Sequence, residues 1–362
     1  MKKYLIMNKI TSYAGLLFTP KNCKIFFAAL LIVFTAVSAQ ARIIRVNNSG
    51  IACTTPTDCY TTLAAAYGSA NPGDTIHIEP TGVSYGNLTI AKRVIILGNG
   101  YFLGTAEANG NPNLQANTAA STVDAITINN GADGTIIKGL TFNGTLSIAG
   151  TSAASKVSNL IIARNRLIFY FQFQNSNNVQ FIQNYSLTGS GNASGGNNSN
   201  AYISNNVLSS YGFGATDDGV FENNIIISSA GSSIHNFTVQ NNITVTGTTQ
   251  TFTNCTVRNN IGNSTQYGNL NGNQQNITMA SVFEDPTNVS LLWSEDSRYT
   301  LKSGSPAIGT GFGGIDCGIF GGTANPYHIS GIPDIPSIYK LTAPATVSSN
   351  TLSVTISTKV NQ

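Results

Sequence analysis

Charged residues are scarce in this sequence. Only 9% of the 362 residues are Asp, Glu, Lys or Arg, whereas Gly alone accounts for 36. Low charge can indicate a membrane protein, but the apolar residues are spread too evenly along the chain for several membrane spans. Short apolar runs separated by Asn and Gly instead favour an all-β protein with many turns.

A basic field is also missing, although the formal net charge is +3. Five lysines precede an apolar run at 25–37, which is followed by the small residues of 38–41. This order of basic, apolar and small residues is typical of a secretory signal peptide, which we predict over residues 1–41. The apolar run is shorter than the roughly 20 residues that span a bilayer, so we expect a secreted or cell-surface protein without a transmembrane anchor.

Removal of the predicted signal peptide takes away five of the 18 basic residues and none of the 15 acidic residues, which leaves a net charge of −2. Such a chain has no basic surface for phosphate contacts, and this excludes nucleic acid as a partner. The five lysines are Lys2, Lys3, Lys9, Lys21 and Lys24.

Cysteine is rare as well. One of the five cysteines, Cys23, lies in the predicted signal peptide, so the mature chain keeps four. Cys53 and Cys59 are close in sequence, and we expect them to form a disulfide in an oxidising compartment. Cys255 falls at an inward position of the repeat described next and is expected to be a small core residue. The spacing of the four cysteines matches no metal-ligand pattern, so we predict no metal site.

The sequence does contain a repeat. Six segments share the pattern Asn-φ-x-φ-x-x-Asn, in which φ is mostly apolar and Asp once replaces the first Asn; their closing asparagines are 19, 22, 18, 18 and 18 residues apart. Six matches at a nearly constant period indicate a repeat architecture. The segments are NLIIARN (159–165), NVQFIQN (178–184), NAYISNN (200–206), DGVFENN (218–224), NFTVQNN (236–242) and NCTVRNN (254–260).

This period predicts a single right-handed parallel β-helix, an all-β solenoid with three sheets and coils of about 18–22 residues. Each coil would pair with the next at a strand spacing of about 4.8 Å. Leucine-rich repeats have a similar length, but their recurrent leucines are absent. The asparagines suit left-handed backbone at sharp turns and hydrogen-bonded ladders between coils.

Alternation along each strand assigns side chains to the interior. The φ positions, such as Phe237 and Val239, are expected to point inward. A second strand is predicted after the closing Asn, with Ile225 and Ile243 inward, and a third strand before the next opening Asn, with Ile234 inward.

A short helix is predicted at 61–67, N-capped by Asp58 or Thr57. It would cover the first coil, because an open end would expose core and unpaired strand edges. Two further β-like runs, 338–341 and 352–356, are expected in the tail. The predicted organisation is a signal peptide (1–41), a parallel β-helix with an N-terminal cap (42–324), and a Pro-rich linker with a short β tail (325–362).

Two stretches resemble a known superfamily. PGDTIHIEP (72–80) with YGNLTIAKRVIILGNG (85–100) resembles the opening of secreted pectin-lyase-like β-helix proteins, and 282–322, with SPAIGTG and D-x-G-x-F-G, resembles their last coil. These ends look like those of secreted Bacteroidetes-type proteins. The resemblance implies the fold, with a last coil closing the stack, but no single activity, because the superfamily includes lyases, hydrolases, epimerases and adhesins.

Lyases of this superfamily generally use an acidic calcium cluster with a nearby Arg or Lys base. A calcium ion is therefore implied if the protein is a lyase, and no cofactor is expected otherwise. The six repeats contain only three acidic residues, Asp217, Asp218 and Glu222. This scarcity argues against a uronate-cleaving site, which needs convergent charge.

Positions 18 residues apart should stack on adjacent coils, which places Asp217 one coil from His235. Such a pair suits general acid–base catalysis, and the two are the candidate catalytic residues. The alternative is an ordinary ion pair on the solvated surface. Asp218, at an asparagine position of the repeat, is a candidate ligand-binding residue or a simple turn cap.

A second predicted column holds Glu222, Gln240 and Arg258, with about 9.6 Å between its ends. Glu222 and Arg258 are candidate ligand-binding residues, since an arginine can hold an anionic sugar. Arg164 is expected to project into solvent near its turn. The aromatic run at 169–173 is expected to send some rings into the core, with at least one ring suited to stacking on a sugar.

Few charges, regular coils and the missing acidic cluster favour a non-catalytic, monomeric extracellular β-helix that binds polysaccharide or a cell-surface glycan. The enzymatic alternative is a polysaccharide lyase or glycoside hydrolase with a divergent site around Asp217. The third hypothesis is a purely structural surface protein or adhesin.

Overall fold

A computed structural model describes residues 41–50, 53, 58–104, 115–192, 196–228, 232–247, 250–285, 294–322, 326–344 and 351–360. The predicted signal peptide, apart from Ala41, lies outside the described residues. Within them the fold is all-β and is dominated by two long sheets whose strands run parallel, as in a β-helix.

The first long sheet has 11 strands, most of them only three or four residues long. Across the sheet they are β2 (Cys59–Tyr60), β1 (Ile43–Val46), β3 (Thr75–Ile78), β5 (Ile95–Leu97), β8 (Ile136–Lys138), β12 (Ile161–Ala163), β16 (Gln180–Ile182), β18 (Ala201–Ser204), β20 (Gly219–Glu222), β23 (Phe237–Gln240) and β26 (Thr256–Arg258).

The second long sheet has 14 strands. Nine of them follow one path: β27 (Ile261–Gly262), β24 (Ile243–Thr246), β21 (Ile225–Ser228), β19 (Val207–Gly212), β17 (Tyr185–Asn192), β14 (Phe171–Gln174), β10 (Leu146–Ala149), β7 (Ile126–Asn129) and β4 (Leu88–Ile90). The other five pair beside them: β6 (Thr122–Val123), β9 (Thr141–Phe142), β13 (Arg166–Leu167), β22 (Ser233–His235) and β25 (Thr251–Thr253). A separate parallel pair joins β11 (Val157–Ser158) to β15 (Ser176–Asn177).

Strand pairing follows the repeat. Ile161 pairs with Gln180, Gln180 with Tyr202, and Val220 with Thr238. The asparagine hydrogen bonds between these coils join residues 19, 22 and 18 positions apart, as the sequence spacing predicts. The repeat therefore fixes the register of adjacent coils.

The interior of the coils is apolar, and its occupants differ in part from the prediction. Phe237, Val239 and Ile234 are buried in the main core, as expected. The prediction for Ile225 and Ile243 is wrong, because both pack in a second core that also contains residues from the C-terminal part of the chain. The side chain that enters the main core lies one residue later in the strand than predicted. The strand β21 therefore has buried side chains on both of its faces.

Each closing asparagine is fully buried and joins its coil to the next. In the last five, Oδ1 accepts both the backbone N–H and the Nδ2 of the preceding coil's asparagine, at 2.8–3.1 Å, whereas Oδ1 of Asn165 accepts the N–H of Leu140. This arrangement confirms the predicted amide ladder and satisfies backbone groups that the turns leave unpaired. We call it the inner ladder: Asn165, Asn184, Asn206, Asn224, Asn242 and Asn260.

The residue before each closing asparagine adopts left-handed backbone, with φ between 51° and 59°. Asn is one of the few residue types that occupy this region readily, and four of the six are Asn. Their side chains point away from the core and form a second row, which we call the outer ladder: Arg164, Gln183, Asn205, Asn223, Asn241 and Asn259.

The chain after the repeats doubles back along the outer ladder instead of closing the stack. We call residues 310–322 and 326–334 the strap. Asn259 donates to the carbonyl of Thr310, Asn223 to that of Gly318 and Gln183 to that of Pro326. The strap therefore meets the coils in reverse order, and the expectation of a last coil at 282–322 is wrong.

Arg164 lies at the far end of the strap and is only 7% exposed, which corrects the expectation that it projects into solvent. Its guanidinium donates to the side chain of Gln183 at 2.7 Å, to the carbonyl of Ile332 at 2.9 Å and to the carboxylate of Asp334 at 2.6 Å. These contacts tie the end of the strap to the first of the six repeats.

A second core lies between the coils and the C-terminal part of the chain. It contains Ile225, Ile243, Tyr101, Cys317 and Tyr327 among others. Burial raises the pKa of the Cys317 thiol to about 12, so this cysteine stays protonated at neutral pH. Within this region lie helix α2 (Met279–Val282) and two 3-10 helices, Glu295–Tyr299 and Ile329–Gly331.

Helix α1 (Leu63–Ser69) lies where the sequence predicts a helix. Its N-cap is Thr62, whose side chain accepts from the N–H of Ala65, and not Asp58 or Thr57. Leu63 and Ala66 are buried in the main core.

The predicted Cys53–Cys59 disulfide is present. At the other end of the chain, β28 (Pro336–Thr342) and β29 (Thr355–Val360) form an antiparallel hairpin, so that both predicted tail runs contain strand. The second strand begins later than predicted.

Candidate functional site

Four side chains form a continuous hydrogen-bonded row on the outer face of the first long sheet. The Tyr202 hydroxyl and Gln240 Nε2 each donate to the carboxylate of Glu222 at 2.6 Å, and Arg258 Nε donates to Gln240 Oε1 at 2.8 Å. Glu222 pairs with Gln240 and Gln240 with Arg258 in adjacent strands. The predicted column is confirmed, and we call these four residues the Glu222 column.

The charges of Glu222 and Arg258 determine the orientation of the Gln240 amide between them. Gln240 turns its amide N–H toward the anionic Glu222 and its carbonyl oxygen toward the cationic Arg258. Hydrogen bonds to ionised groups are stronger than those between neutral groups, so the amide is held in one orientation. The column is therefore negative at one end and positive at the other.

Arg258 is fixed by two contacts of different kinds. Its Nε bonds to Gln240, and its Cζ lies 3.4 Å from the centroid of the Phe312 ring. Phe312 is itself positioned by the outer ladder, since its backbone N–H donates to Asn241 Oδ1 at 2.7 Å. Within the described residues Nη1 and Nη2 of Arg258 make no hydrogen bond, and they remain available to a ligand.

The surface around the column is polar, with an aromatic edge. Thr238 and Thr256 lie on the same face as Gln240 and Arg258, because alternate residues of a strand share a face. The Phe312 side chain is 47% exposed. Hydroxyl, amide, charged and aromatic groups are thus placed together on successive coils.

The candidate catalytic residue Asp217 is buried, with 1% of its surface exposed. Its Oδ1 accepts from the backbone N–H and Nδ2 of Asn198, both at 2.9 Å, and its Oδ2 accepts from the N–H of Gly214 at 2.6 Å. Asn198 in turn bonds to Ser176. Asp217 therefore ends a buried row at a corner of the coil, and the alternative of a solvated surface position is wrong for this residue.

His235 lies at the end of β22 and is half-buried, with Thr253 beside it in the next coil as the 18-residue spacing predicts. No hydrogen bond or ion pair between His235 and Asp217 occurs among the described residues. Asp218 is exposed, and its Oδ1 accepts from the backbone N–H of Asn200 at 2.8 Å, as a turn cap does. Of the five candidate residues, Asp217, Asp218 and His235 therefore lie outside the Glu222 column, whereas Glu222 and Arg258 belong to it.

Side chains suited to holding a metal are dispersed. Across the described ranges, no group of three or more His, Cys, Asp or Glu side chains is close enough to ligate one ion. The acidic calcium cluster that the lyase alternative implies is therefore not formed by the residues in these ranges.

Sequence reasoning missed two members of this surface. Tyr202 precedes Glu222 by 20 residues and so falls outside the 18-residue rule. Phe312 belongs to the strap, which no repeat predicts. The aromatic run behaves as expected: Phe171 and Phe173 are buried, whereas the rings of Phe169 and Tyr170 are exposed and lie 4.6 Å apart.

Comparisons of the chain with protein-family models, curated proteins and solved structures found no match. The long parallel sheets support a β-helix or solenoid fold without assigning a family. None of the helices in the described parts of the chain has the length and apolarity needed to cross a bilayer.

Proposed function

We propose that this protein is a secreted, non-catalytic β-helix that binds a polysaccharide or cell-surface glycan along the Glu222 column. In this proposal the coils form a single right-handed helix of the pectin-lyase-like, Bacteroidetes type. Helix α1 covers the first coil, and residues 1–41 are removed as a signal peptide on export.

The observation that carries the proposal is the orientation of Arg258. Gln240 and Phe312 hold the guanidinium at one edge and one face, which leaves Nη1 and Nη2 without a hydrogen-bond partner among the described residues. A guanidinium that is already oriented loses little side-chain entropy when it binds a carboxylate or sulfate through two parallel hydrogen bonds. This arrangement favours glycans that carry an acidic group.

The spacing of the column also suits a carbohydrate chain. Adjacent coils are about 4.8 Å apart, close to the length of one pyranose unit in an extended chain. Glu222 and Tyr202 offer groups for neutral hydroxyls two or more coils away from Arg258. A glycan laid across the coils would thus meet an acid-binding end and a hydroxyl-binding end.

Glycan-array binding by residues 42–362, followed by calorimetry with the best acidic glycan, tests the proposal. We expect Arg258→Gln to weaken binding about tenfold or more, because it removes a charge-assisted pair. Phe312→Ala should weaken binding less, since it leaves the charge but removes the surface that orients it. Arg93→Gln changes an exposed arginine outside the column and is the matched control.

Three outcomes would overturn the proposal. Equal binding by the Arg258→Gln and Arg93→Gln variants would move the site elsewhere. Binding to no glycan would leave a structural role. Release of reducing ends or unsaturated uronates that depends on Asp217 or His235 would establish the enzymatic alternative. Export is tested separately, by the N-terminal residue of the protein recovered outside the cell.

A further inference from the structure

A groove of about 490 Å³ lies beside the tail hairpin, far along the first sheet from the Glu222 column. One side is formed by Arg45, His77 and Glu79, which follow the outer face of β1 and β3. The other side is formed by the hairpin strand β28, which is held in place by a 2.7 Å hydrogen bond from the N–H of Ala116 to the carbonyl of Ile338. Small-ligand sites typically enclose about 300–1,000 Å³, so the groove has a suitable size.

The polar side of the groove carries one cation, Arg45, and one anion, Glu79. Arg45 Nε donates to Glu79 Oε1, and Asn47 Nδ2 donates to Glu79 Oε2 at 2.7 Å. Each carboxylate oxygen of Glu79 therefore already accepts one hydrogen bond, and the charge of Glu79 is paired with that of Arg45. Arg45 keeps its two Nη groups, and 52% of its side chain is exposed.

His77 adds a second polar group to this side. It lies between Arg45 on β1 and Leu97 on β5, and its imidazole makes no hydrogen bond within the described residues. Burial lowers the pKa of His77, while Glu79 opposes that effect in part, so the ring is neutral at pH 7 and presents one N–H donor.

The opposite side is mostly apolar, although Ser337 also lines it. Pro336, Ile338 and Leu341 of the hairpin strand line the groove. Leu341 is 59% exposed and Ile338 46% exposed. Exposed aliphatic side chains facing the free Nη groups of Arg45 and the N–H of His77 define an amphipathic site, which fits a ligand with an anionic head and a hydrocarbon body.

We propose that this groove binds a small organic acid, with its carboxylate on Arg45 and His77 and its apolar body against Ile338 and Leu341. A carboxylate matches the paired N–H groups of a guanidinium in geometry and charge. The apolar body of the ligand would shield the exposed side chains of the hairpin from water. This site is independent of glycan binding at the Glu222 column.

Calorimetric titration of the full mature chain with hexanoate tests the proposal. Three comparison ligands separate its parts: 1-hexanol lacks the charge, acetate lacks the body, and galacturonate carries its carboxylate on a polar body. We expect saturable hexanoate binding, with each comparison ligand about tenfold weaker or more. A parallel NMR titration should shift the ring signals of His77 and leave those of His235 unchanged.

Two pairs of variants locate the site. Arg45→Gln and Leu341→Ser should each weaken hexanoate binding about tenfold. Arg93→Gln and Leu352→Ser change an exposed arginine and an exposed leucine of the tail, both outside the groove, and should bind as the parent does. The proposal would be overturned if hexanoate binding were not saturable, or if hexanol or galacturonate bound with equal affinity. It would also be overturned if the His77 signals did not move, or if the control variants lost as much affinity as the groove variants.

Discussion

Asn206 and Asn224 are joined by two hydrogen bonds to a single oxygen. The backbone N–H and Nδ2 of Asn206 donate to Oδ1 of Asn224 at 3.0 and 2.9 Å, and both residues are fully buried. The side chain of Asn224 thus supplies the acceptor for a turn of the preceding coil, and the buried polar groups of each coil depend on the next coil for their partners.

Replacing Asn224 by Ala should destabilise the protein by about 3 kcal/mol, because it leaves the backbone N–H and one Nδ2 hydrogen of Asn206 buried without an acceptor. The measurement is the midpoint of urea unfolding. Asn143, an exposed asparagine that belongs to neither ladder, supplies the control Asn143→Ala, which should change stability by less than about 0.5 kcal/mol. Similar midpoints for the two variants would mean that the inner ladder adds little net stability.

Replacing Asn205 and Asn223 together by Gly should loosen the strap without disturbing the coils. Glycine keeps the left-handed backbone, with φ of 55° and 53° here, but removes the amides that bind the carbonyls of Gly318 and Ile319. Hydrogen exchange of peptides covering 316–321 should accelerate about tenfold or more, while peptides of the inner ladder keep their protection.

The control for this variant is Asn200→Gly, which changes another left-handed residue on the opposite turn. It should not alter exchange in the strap. If the double variant and the control gave the same exchange pattern, the strap would be held by its apolar contacts alone.

Asp296 should make the protein less stable as the pH rises. Burial raises the pKa of Asp296, although hydrogen bonds from Ser294, Ser330 and Tyr327 lower it in part. A raised folded-state pKa stabilises the fold below the unfolded pKa of about 3.9, and this contribution is lost as pH increases through the folded value. Asp296→Asn removes the ionisation and can donate to the Ser294 hydroxyl.

We therefore expect the melting temperature of Asp296→Asn, measured against the parent, to rise by about 2–4 °C between pH 3 and pH 7. Asp133→Asn, at an exposed carboxyl, should show no such trend. If the difference in melting temperature between Asp296→Asn and the parent stayed constant with pH, ionisation of this carboxyl would not be the cause of the loss of stability.

Asp74 should have the opposite effect and make the protein more stable as the pH rises. Burial raises its pKa, but hydrogen bonds from Asn71 and Arg42, with the charge of Arg42, outweigh that effect and lower the pKa overall. The resulting stability is present above the unfolded pKa and is lost as pH falls through the lowered folded value. Asp74→Asn should therefore cost about 2 kcal/mol at pH 7 and progressively less under acid conditions.

Asp58 provides a close comparison, because it also pairs with Arg42 but its side chain is 44% exposed. Asp58→Asn should cost less than about 1 kcal/mol, as exposed ion pairs do. Urea unfolding at pH 7 and pH 3 distinguishes the two residues, and equal effects would show that burial of Asp74 is not decisive.

Much of the coil geometry could be predicted because neighbouring parallel strands keep one register. The 18-residue spacing correctly stacked Glu222, Gln240 and Arg258, and the paired asparagines identified both the left-handed turns and the amide ladder. Asp217 was misplaced because it lies at a corner, where side-chain direction depends on local turns and not on alternation. Its carboxylate turns toward Asn198 of the preceding coil.

The strap was not predictable from the repeat. Asn259 meets Thr310 across 51 residues, and Arg164 meets Asp334 across 170, so these contacts have no constant period. Phe312 therefore gave no sequence signal as a partner of Arg258. The faces of β21 were misassigned for the same reason, because the strap and its core bury the side that would otherwise face water.

The strap also limits how this protein can change in length. A free solenoid gains or loses one coil by duplication or deletion of one repeat. Here the outer side chains of successive coils are matched, in reverse order, to carbonyls such as those of Thr310, Gly318 and Pro326. An added coil would move every later side chain of the outer ladder away from its carbonyl partner, unless the strap lengthened by the same distance. The number of coils is therefore specified twice, by sequences far apart in the chain.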